Sequence, residues 1–419
     1  MTAPLAPGPR ARRLHARSRP GPAASGKPPR NLGLQEESIP EIQSILDRSV
    51  ARGDLPFAVG ICASSDRTIF SGAAGEAAPG LPAAPDTVIR AFSATKGVCA
   101  TAMMLLVDRG KLDIETPVEE ILPEFARIQV LERIENGVPV LRRPKVRATI
   151  RHLATHSSGL EHDFWNQDVM DYVAATGHPG LLDGKREALF YPMMTDPGTR
   201  WAYSMGPDWI GLVIEAIDGR RIEDFAREEV LIPLGMHDTD VHLRTPMAER
   251  LAGVSARNDA GDLVPTRIDL PVAPEIFPFG SSLYTTAADY IRLLRMLLGR
   301  GVLEGTRLMR PETVDFMLQD HLNGLGFRRL RSVAPAFVGD VDFFEGTRKS
   351  HSLGFFRNDE DIPGMRRAGS QSWAGVCNNH FWFDPKSDLA AVLFTQSLPF
   401  LDPRYMQTYQ AFERAVYAG

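Results

Sequence analysis

Apolar residues near both ends of the chain occur in short runs separated by turn residues. The segment "FAVGICASSDRTIFSGAAG" (57–75) places the polar turn SSDR between two runs, and "HFWFDPKSDLAAVLFTQ" (380–396) places Asp384–Asp388 between two more. Runs of this length and spacing predict β-hairpins. Asn136-Gly137, between the alternating halves of "QVLERIENGVPVLRR", predicts a third hairpin with a tight two-residue turn.

Helical periodicity marks the segments beside these hairpins. Residues 36–53 predict an amphipathic helix that ends at Gly53, and residues 93–109 predict a second helix capped by Gly110. The second helix is expected to bury its apolar side chains as one stripe, formed by Val98, Met103, Leu106 and Val107.

Helices and loops also account for most of residues 150–300, and residues 403–418 predict a closing helix. Strands at both ends and helices between them predict an α/β (α+β) fold, in which one antiparallel sheet from both chain ends is flanked by helices and a mainly helical lobe is inserted. The expected boundaries are 36–419 for a single unit, about 36–110 and 285–419 for its sheet lobe, and about 111–284 for its helical lobe.

The charge is unevenly distributed. Residues 1–35 carry seven basic residues and no acidic one, and they are rich in proline. They predict a disordered tail; the arginines suggest a transit peptide, but the prolines argue against the amphipathic helix it would need. The rest of the chain keeps 40 basic against 52 acidic residues, so we expect no nucleic-acid partner.

The cysteine and hydropathy patterns limit the compartment. Cys62, Cys99 and Cys377 are far apart and odd in number, which predicts neither a disulfide framework nor a thiolate metal site. The chain has no secretory apolar core near its start and no run of about 18 apolar residues, so we expect a cytoplasmic protein with no membrane partner. Its oligomeric state is left open.

Ser93 and Lys96 in "AFSATKGVCA" (91–100) are the first candidate for chemistry. At a helix N-terminus, residues three apart lie on one face, so Lys96 can reach the Ser93 hydroxyl and accept its proton. The helix N-terminus stabilises an alkoxide and disfavours a charged lysine. The alternative is a helix-capping serine followed by an ordinary surface lysine.

Two further segments supply a proton relay and an oxyanion site. Tyr203, in the loop between Pro197-Gly198 and Gly206-Pro207, could exchange protons with the serine oxygen; alternatively it packs in the helical lobe. In "AGSQSWAGV" (368–376), the Val376 N–H is expected to form an oxyanion hole with the Ser93 N–H. The alternative there is a β-bulge.

In this order, the segments resemble the serine β-lactamase and penicillin-binding protein superfamily, and more closely its esterase branch, the family VIII carboxylesterases, and the statin side-chain acyltransferases. The resemblance spans roughly residues 38–419. It includes the connecting segments "TIRHLATHSSGL" (149–160), "IPLGMHDT" (232–239), "FGSSLYTTAADY" (279–290) and "GSQSWAGV" (369–376). The resemblance implies that Ser93 is the acylated nucleophile, Lys96 its base and Tyr203 the proton relay, with the order of Lys96 and Tyr203 left open.

The chain departs from the β-lactamase pattern at two motifs. Tyr203-Ser204-Met205 replaces Tyr-x-Asn, and Trp373-Ala374-Gly375 aligns with Lys-Thr-Gly or His-x-Gly. The missing Asn and Lys weaken recognition of amides and anionic carboxylates, whereas Trp373 favours an apolar acyl pocket.

We therefore expect a serine hydrolase that cleaves small-molecule esters with short or medium acyl chains, without metal or organic cofactor. The alternatives are an acyltransferase that passes the acyl group to an alcohol, a β-lactamase or D-alanyl peptidase, and a non-catalytic binding protein on the same scaffold. His152 and His156 have metal-ligand spacing, but the Glu of His-Glu-x-x-His is absent, so no metal is expected. Residues 327–355 either overhang the site or form an ordinary surface loop.

Overall fold

An eight-stranded antiparallel sheet forms the centre of the protein. The computed structural model describes residues 39–180, 183–268, 270–271 and 273–418. The predicted tail, residues 1–35, lies outside the described residues. The strands of the described residues, including those of four smaller sheets, are β1 (Phe57–Ala63), β2 (Thr68–Ala78), β3 (Leu81–Pro82), β4 (Ile89–Arg90), β5 (Val130–Glu135), β6 (Val138–Arg142), β7 (Val254–Arg257), β8 (Leu263–Thr266), β9 (Tyr284–Thr285), β10 (Val302–Leu303), β11 (Thr306–Arg307), β12 (Lys349–His351), β13 (Phe356–Asn358), β14 (Gln371–Gly375), β15 (Asn379–Asp384), β16 (Leu389–Phe394) and β17 (Ser397–Leu398).

Helices cover both faces of this sheet and fill the middle of the chain. They are α1 (Ile39–Ala51), α2 (Thr95–Asp108), α3 (Val118–Ile121), α4 (Ile150–Ala154), α5 (Gln167–Thr176), α6 (Gly206–Asp218), α7 (Ile222–Ala226), α8 (Thr245–Ala248), α9 (Ala287–Leu298), α10 (Pro311–Met317) and α11 (Pro403–Tyr417). Within the described ranges, none of these helices is both long and apolar enough to span a bilayer.

The sheet joins the two ends of the chain, as the sequence predicted. Its strand order is β12-β13-β14-β15-β16-β1-β2-β3, and β1 pairs antiparallel with β16, with Val59 opposite Phe394. The two terminal hairpins are confirmed as β1–β2 and β15–β16. The third is confirmed as β5–β6, in which Asn136 and Gly137 both have positive φ, as the tight two-residue turn requires. The proposed division into sheet and helical lobes stays a prediction.

Alternation along the strands separates a front core from a rear core. In β16, Ala390, Val392 and Phe394 pack in the front core with α2 and α9, whereas Ala391 and Leu393 pack in the rear core with α1 and α11. This is the two-residue period of a strand buried on both faces. In β1, a Cβ atom at Gly60 would lie 2.9 Å from the Phe412 ring, so the missing side chain lets α11 approach the sheet.

The structure corrects the prediction for the helix after Ser93. Ser93 lies in a 3-10 turn, Phe92–Ala94, and the α-helix begins at Thr95. Instead of one buried stripe, every residue from Thr95 to Leu106 is buried. The helix is covered on all sides because it runs between the sheet and the helices of the middle segment. Its hydrophobic periodicity therefore does not show which side faces the core.

Candidate active site

A strained turn holds the Ser93 side chain at the start of α2. Phe92, the preceding residue, has φ +45°, a left-handed conformation that L-residues adopt at a cost of about 1 kcal/mol or more. Its ring is 2% exposed, so tertiary packing maintains the conformation. The turn is further fixed by Tyr290, whose hydroxyl donates to the Ala94 carbonyl at 2.7 Å. Strain of this kind is common at functional sites.

Ser93, Lys96 and Tyr203 converge on one oxygen atom. Ser93 Oγ lies 2.6 Å from the Tyr203 hydroxyl oxygen, and Lys96 Nζ donates to Ser93 Oγ at 3.3 Å. Lys96 Nζ also donates to the Gly280 carbonyl at 2.9 Å and lies 4.8 Å from the centre of the Tyr203 ring. Lys96 is 4% and Tyr203 6% exposed, so neither is an ordinary surface side chain. The predicted trio is therefore in mutual contact.

Asp208 is a charged residue of the site that sequence analysis missed. It is 2% exposed in the first turn of α6, and its Oδ1 accepts the Gly280 N–H at 2.7 Å. Its Oδ2 has no hydrogen-bond partner within the described part of the chain. Burial raises the pKa of Asp208, and the charge of Lys96 only partly opposes the rise. In the sequence, Asp208 resembles any acidic residue that begins a helix.

The end of β14 forms the wall opposite α2. Pairing with β13 stops at Ser372, which leaves the outer edge from Trp373 onward free to face the site. A Cβ atom at Gly375 would lie 2.2 Å from the Ala91 carbonyl oxygen, so glycine permits the strand to approach the turn that carries Ser93. The group that approaches this glycine is therefore backbone. Trp373, Ala374 and Val376 line the same cavity as Ser93.

Two cavities meet at Ser93. The first is mostly apolar, with walls formed by Phe164, Trp165, Tyr203, Leu330, Val341, Phe343, Trp373, Ala374, Val376 and Phe400. The second is more polar, because Lys96, Asp208 and Ser281 line it. Four residues line both cavities: Ser93, His162, Phe164 and Val376. Ser93 therefore stands between an apolar and a polar compartment.

The segment 327–355 contributes to the first cavity. Leu330, Val341 and Phe343 form part of its wall, and Leu330 pairs with Val341 through an isolated β-bridge. This placement agrees with the interpretation that the segment overhangs the site.

The two histidines with metal-ligand spacing have other partners. His152 Nδ1 accepts the Thr149 N–H at 3.1 Å and so caps α4. His156 Nδ1 accepts the Ser204 N–H at 3.2 Å, and burial lowers the pKa of this histidine well below its ordinary range. Within the described ranges, no group of three metal-ligating side chains occurs.

The beta-lactamase family model matches residues 42–415 of the sequence, which includes all three converging side chains. The chain belongs to the beta-lactamase family. A monacolin J acid methylbutanoyltransferase of Aspergillus terreus is 31% identical over 80% of this chain and 83% of its own length. A lovastatin esterase of Penicillium rubens is 27% identical over 85% of this chain and 90% of its own.

Among solved structures, the unliganded simvastatin synthase LovD from Aspergillus terreus superposes with a TM-score of 0.79 and 26% identity, covering 92% of this chain and 99% of that one. These similarities confirm the predicted resemblance to the superfamily and to the statin acyltransferases. They also agree with the mixed α/β fold built on an antiparallel sheet.

Proposed function

We propose that this member of the beta-lactamase family is a serine hydrolase that cleaves carboxylic esters with short or medium acyl chains. The observation that carries the proposal is Ser93 Oγ, which lies 2.6 Å from the Tyr203 hydroxyl and 3.3 Å from Lys96 Nζ at the mouth of an apolar cavity. A serine hydroxyl becomes nucleophilic when a base lies within hydrogen-bond reach, and this serine has two such groups.

In the first half of the reaction, Ser93 Oγ attacks the ester carbonyl. Tyr203 and Lys96 take the serine proton and pass it to the leaving alcohol oxygen, which leaves an acyl group on Ser93. The Ser93 and Val376 N–H groups are proposed to hold the oxyanion. Val376 lines both cavities together with Ser93, which favours this role for its N–H. Water then attacks the acyl-enzyme and releases the acid.

The walls of the two cavities favour esters over amides, with Met205 in the polar one and Trp373 in the apolar one. Met205 and Trp373 replace the Asn and Lys that would bind an amide side chain and an anionic carboxylate. Trp373 instead adds an aromatic surface to a cavity whose lining is mostly apolar. Such a lining stabilises an acyl chain by removing its surface from water.

Acyl transfer to an alcohol is the second candidate. It shares the acyl-enzyme and differs only in the acceptor that attacks it. The observation in its favour is the 31% identical relative, which is named as a methylbutanoyltransferase.

The test is hydrolysis of p-nitrophenyl butyrate by the wild type, by Ser93→Ala and by Ser71→Ala, a matched control in the exposed part of β2. Turnover should be lost only in Ser93→Ala. After treatment with a phosphonate probe, the wild type and Ser71→Ala should each gain the mass of one adduct, and Ser93→Ala should gain none. Butanol added to the reaction separates the candidates, because a transferase forms butyl butyrate faster than butyric acid. Activity that survives in Ser93→Ala would contradict the proposal.

A further inference from the structure

His162 lies at the site but plays no part in the chemistry described above. It precedes the 3-10 turn Asp163–Trp165 and is 8% exposed. Two aromatic rings pack against its ring: the Tyr203 ring is parallel to it within 5° at 5.5 Å, and the Phe164 ring is tilted by 30° at 4.4 Å. Aromatic carbon therefore surrounds much of the imidazole.

One ring nitrogen of His162 is occupied by a carboxylate. His162 Nδ1 lies 2.5 Å from Asp163 Oδ1, and the Asp163 side chain is 28% exposed. Burial alone would raise the pKa of Asp163. The neighbouring His162 and the Phe164 N–H together have the larger, opposite effect, so the net pKa lies below its ordinary value. A carboxylate beside Nδ1 orients the ring and favours the tautomer with its proton on that nitrogen, so that Nε2 is the acceptor.

The other edge of the ring faces the reaction. Because Nδ1 is buried against Asp163, the edge that carries Nε2 is the part left to line the cavities. His162 lines both cavities, as does Ser93. A small molecule held where these cavities meet therefore contacts the serine ester and the imidazole together.

The second half-reaction needs a base at this place. Water and alcohols are weak nucleophiles, and they attack an ester quickly only if a positioned group removes their proton. Lys96 and Tyr203 both contact Ser93 Oγ itself. That position suits the transfer of protons to and from the serine, whereas His162 lines the same cavities without a hydrogen bond to Ser93 Oγ among the described residues and so is free to serve the attacking acceptor.

We propose that His162, oriented by Asp163, is the general base that activates the acyl acceptor during deacylation. This inference rests on the proposed acyl-enzyme at Ser93. Asp163 is a positioning residue, because it acts through the imidazole and does not contact the acceptor.

The proton transfers balance over the step. The acceptor O–H proton moves to His162 Nε2 while the acceptor oxygen bonds to the acyl carbon. The bond from that carbon to Ser93 Oγ then breaks, and Oγ takes the proton of the Tyr203 hydroxyl. The proton on the imidazole restores the Tyr203 hydroxyl, so every group ends the cycle as it began. Water as acceptor releases the acid, and an alcohol releases a new ester.

The experiment separates the two half-reactions in the full-length protein. Stopped-flow mixing with p-nitrophenyl butyrate gives a burst of p-nitrophenol for acylation and a steady rate for deacylation, and intact mass measures the acyl-enzyme. The variants are His162→Phe, which keeps a stacking ring without nitrogen, and Asp163→Asn, which changes a partly exposed side chain. Ser71→Ala is the control.

We expect His162→Phe to keep the burst rate within about threefold and to lower the steady rate by about 100-fold, the usual contribution of a general base. The butyryl-enzyme should accumulate. Asp163→Asn should also accumulate the butyryl-enzyme, with a steady rate about tenfold below that of the wild type. This second variant decides the matter if the first does not fold.

Three results would overturn the inference. One is an unchanged steady rate in both variants. Another is an equal loss of burst and steady rate, which would mean that His162 only positions Tyr203. The third is the absence of any acyl-enzyme in the wild type, which would refute the proposed function together with the inference. The proposed function is supported by a burst in the wild type that Ser93→Ala abolishes. The inference about His162 is supported if, in addition, the His162 and Asp163 variants lose only the deacylation rate.

Discussion

Two buried sites on opposite faces of the sheet each hold a basic and an acidic side chain, and they are built differently. At the rear, Arg366 and Glu413 are 1% and 0% exposed and meet through two hydrogen bonds, of 2.7 and 2.8 Å. Arg366 also donates to the Tyr409 hydroxyl. At the front, Asp208 leaves one carboxylate oxygen without a hydrogen bond among the described residues, and Lys96 donates to Gly280 and Ser93 instead.

The difference separates a structural pair from a reactive one. Burial acts to lower the pKa of Arg366, but the charge and hydrogen bonds of Glu413 together with Tyr409 and Tyr417 outweigh it, so the net pKa is raised and the guanidinium stays charged. At the front, the charge of Lys96 only partly offsets the burial that raises the pKa of Asp208. A fully bonded pair has no proton to exchange, whereas an incompletely bonded one keeps groups free for chemistry.

The largest effect is expected from removal of the Lys96 amine. Lys96→Met should lower the rate of p-nitrophenyl butyrate hydrolysis by about a thousandfold, because Ser93 loses a proton acceptor. Its free energy of unfolding should stay within about 1 kcal/mol of the wild type, because the lost contacts are ordinary hydrogen bonds. Rates and urea unfolding measure both, with exposed Lys111→Met as the control. A large loss of stability would make Lys96 a structural cation like Arg366.

Removal of the rear cation should do the reverse. Arg366→Met should lower the free energy of unfolding by about 3–5 kcal/mol, because it leaves Glu413 buried without a partner. Activity per folded molecule, counted from the burst amplitude, should not change. The double variant Arg366→Met/Glu413→Leu should regain most of the loss, since neither charge remains. Urea unfolding of the three proteins checks this, and no recovery in the double variant would contradict it.

Two tryptophans on neighbouring strands sharpen the same contrast. Trp373 lines the front cavity, whereas Trp382 is fully buried at the rear and lies 5.3 Å from the Arg366 guanidinium. Trp373→Ala should shift the ratio of kcat/KM for octanoate over butanoate esters by about tenfold toward the longer chain. Trp382→Ala should leave that ratio unchanged and cost about 3–5 kcal/mol of stability. A selectivity change in Trp382→Ala would contradict the separation.

The smallest effect is expected at Asp208. Because its pKa is higher in the folded chain than in the unfolded chain, the folded state binds the proton more tightly and loses stability as pH rises through that range. Asp208→Asn stays neutral and can still accept the Gly280 N–H, so it should be more stable than the wild type at neutral pH. The difference in free energy of unfolding between Asp208→Asn and the wild type should become smaller as the pH is lowered. Urea unfolding of both proteins between pH 4 and 8 measures it. Lower stability of the variant at neutral pH would refute the interpretation of an incompletely bonded carboxylate.

Sequence patterns were most informative where contacts are local. The three hairpins and the Ser93–Lys96 pair were found because strand alternation, turn residues and i, i+3 spacing each bring neighbouring residues together. The prediction that α2 buries a single stripe was wrong, because a helix covered on every side has no polar stripe to orient it. Tyr203 was placed by family resemblance, because nothing in its own segment identifies a partner 110 residues away.

The sequence by itself determined the strands at both ends, the helices between them, and the serine and lysine that share one turn of backbone. Only the tertiary structure decided which distant groups meet that serine. Tyr203 contacts its oxygen, and Asp208, His162 and the end of β14 line the same cavities through packing of α6, a loop and the sheet around α2. Such contacts depend on how whole elements bury their apolar faces against each other, and no local spacing records them.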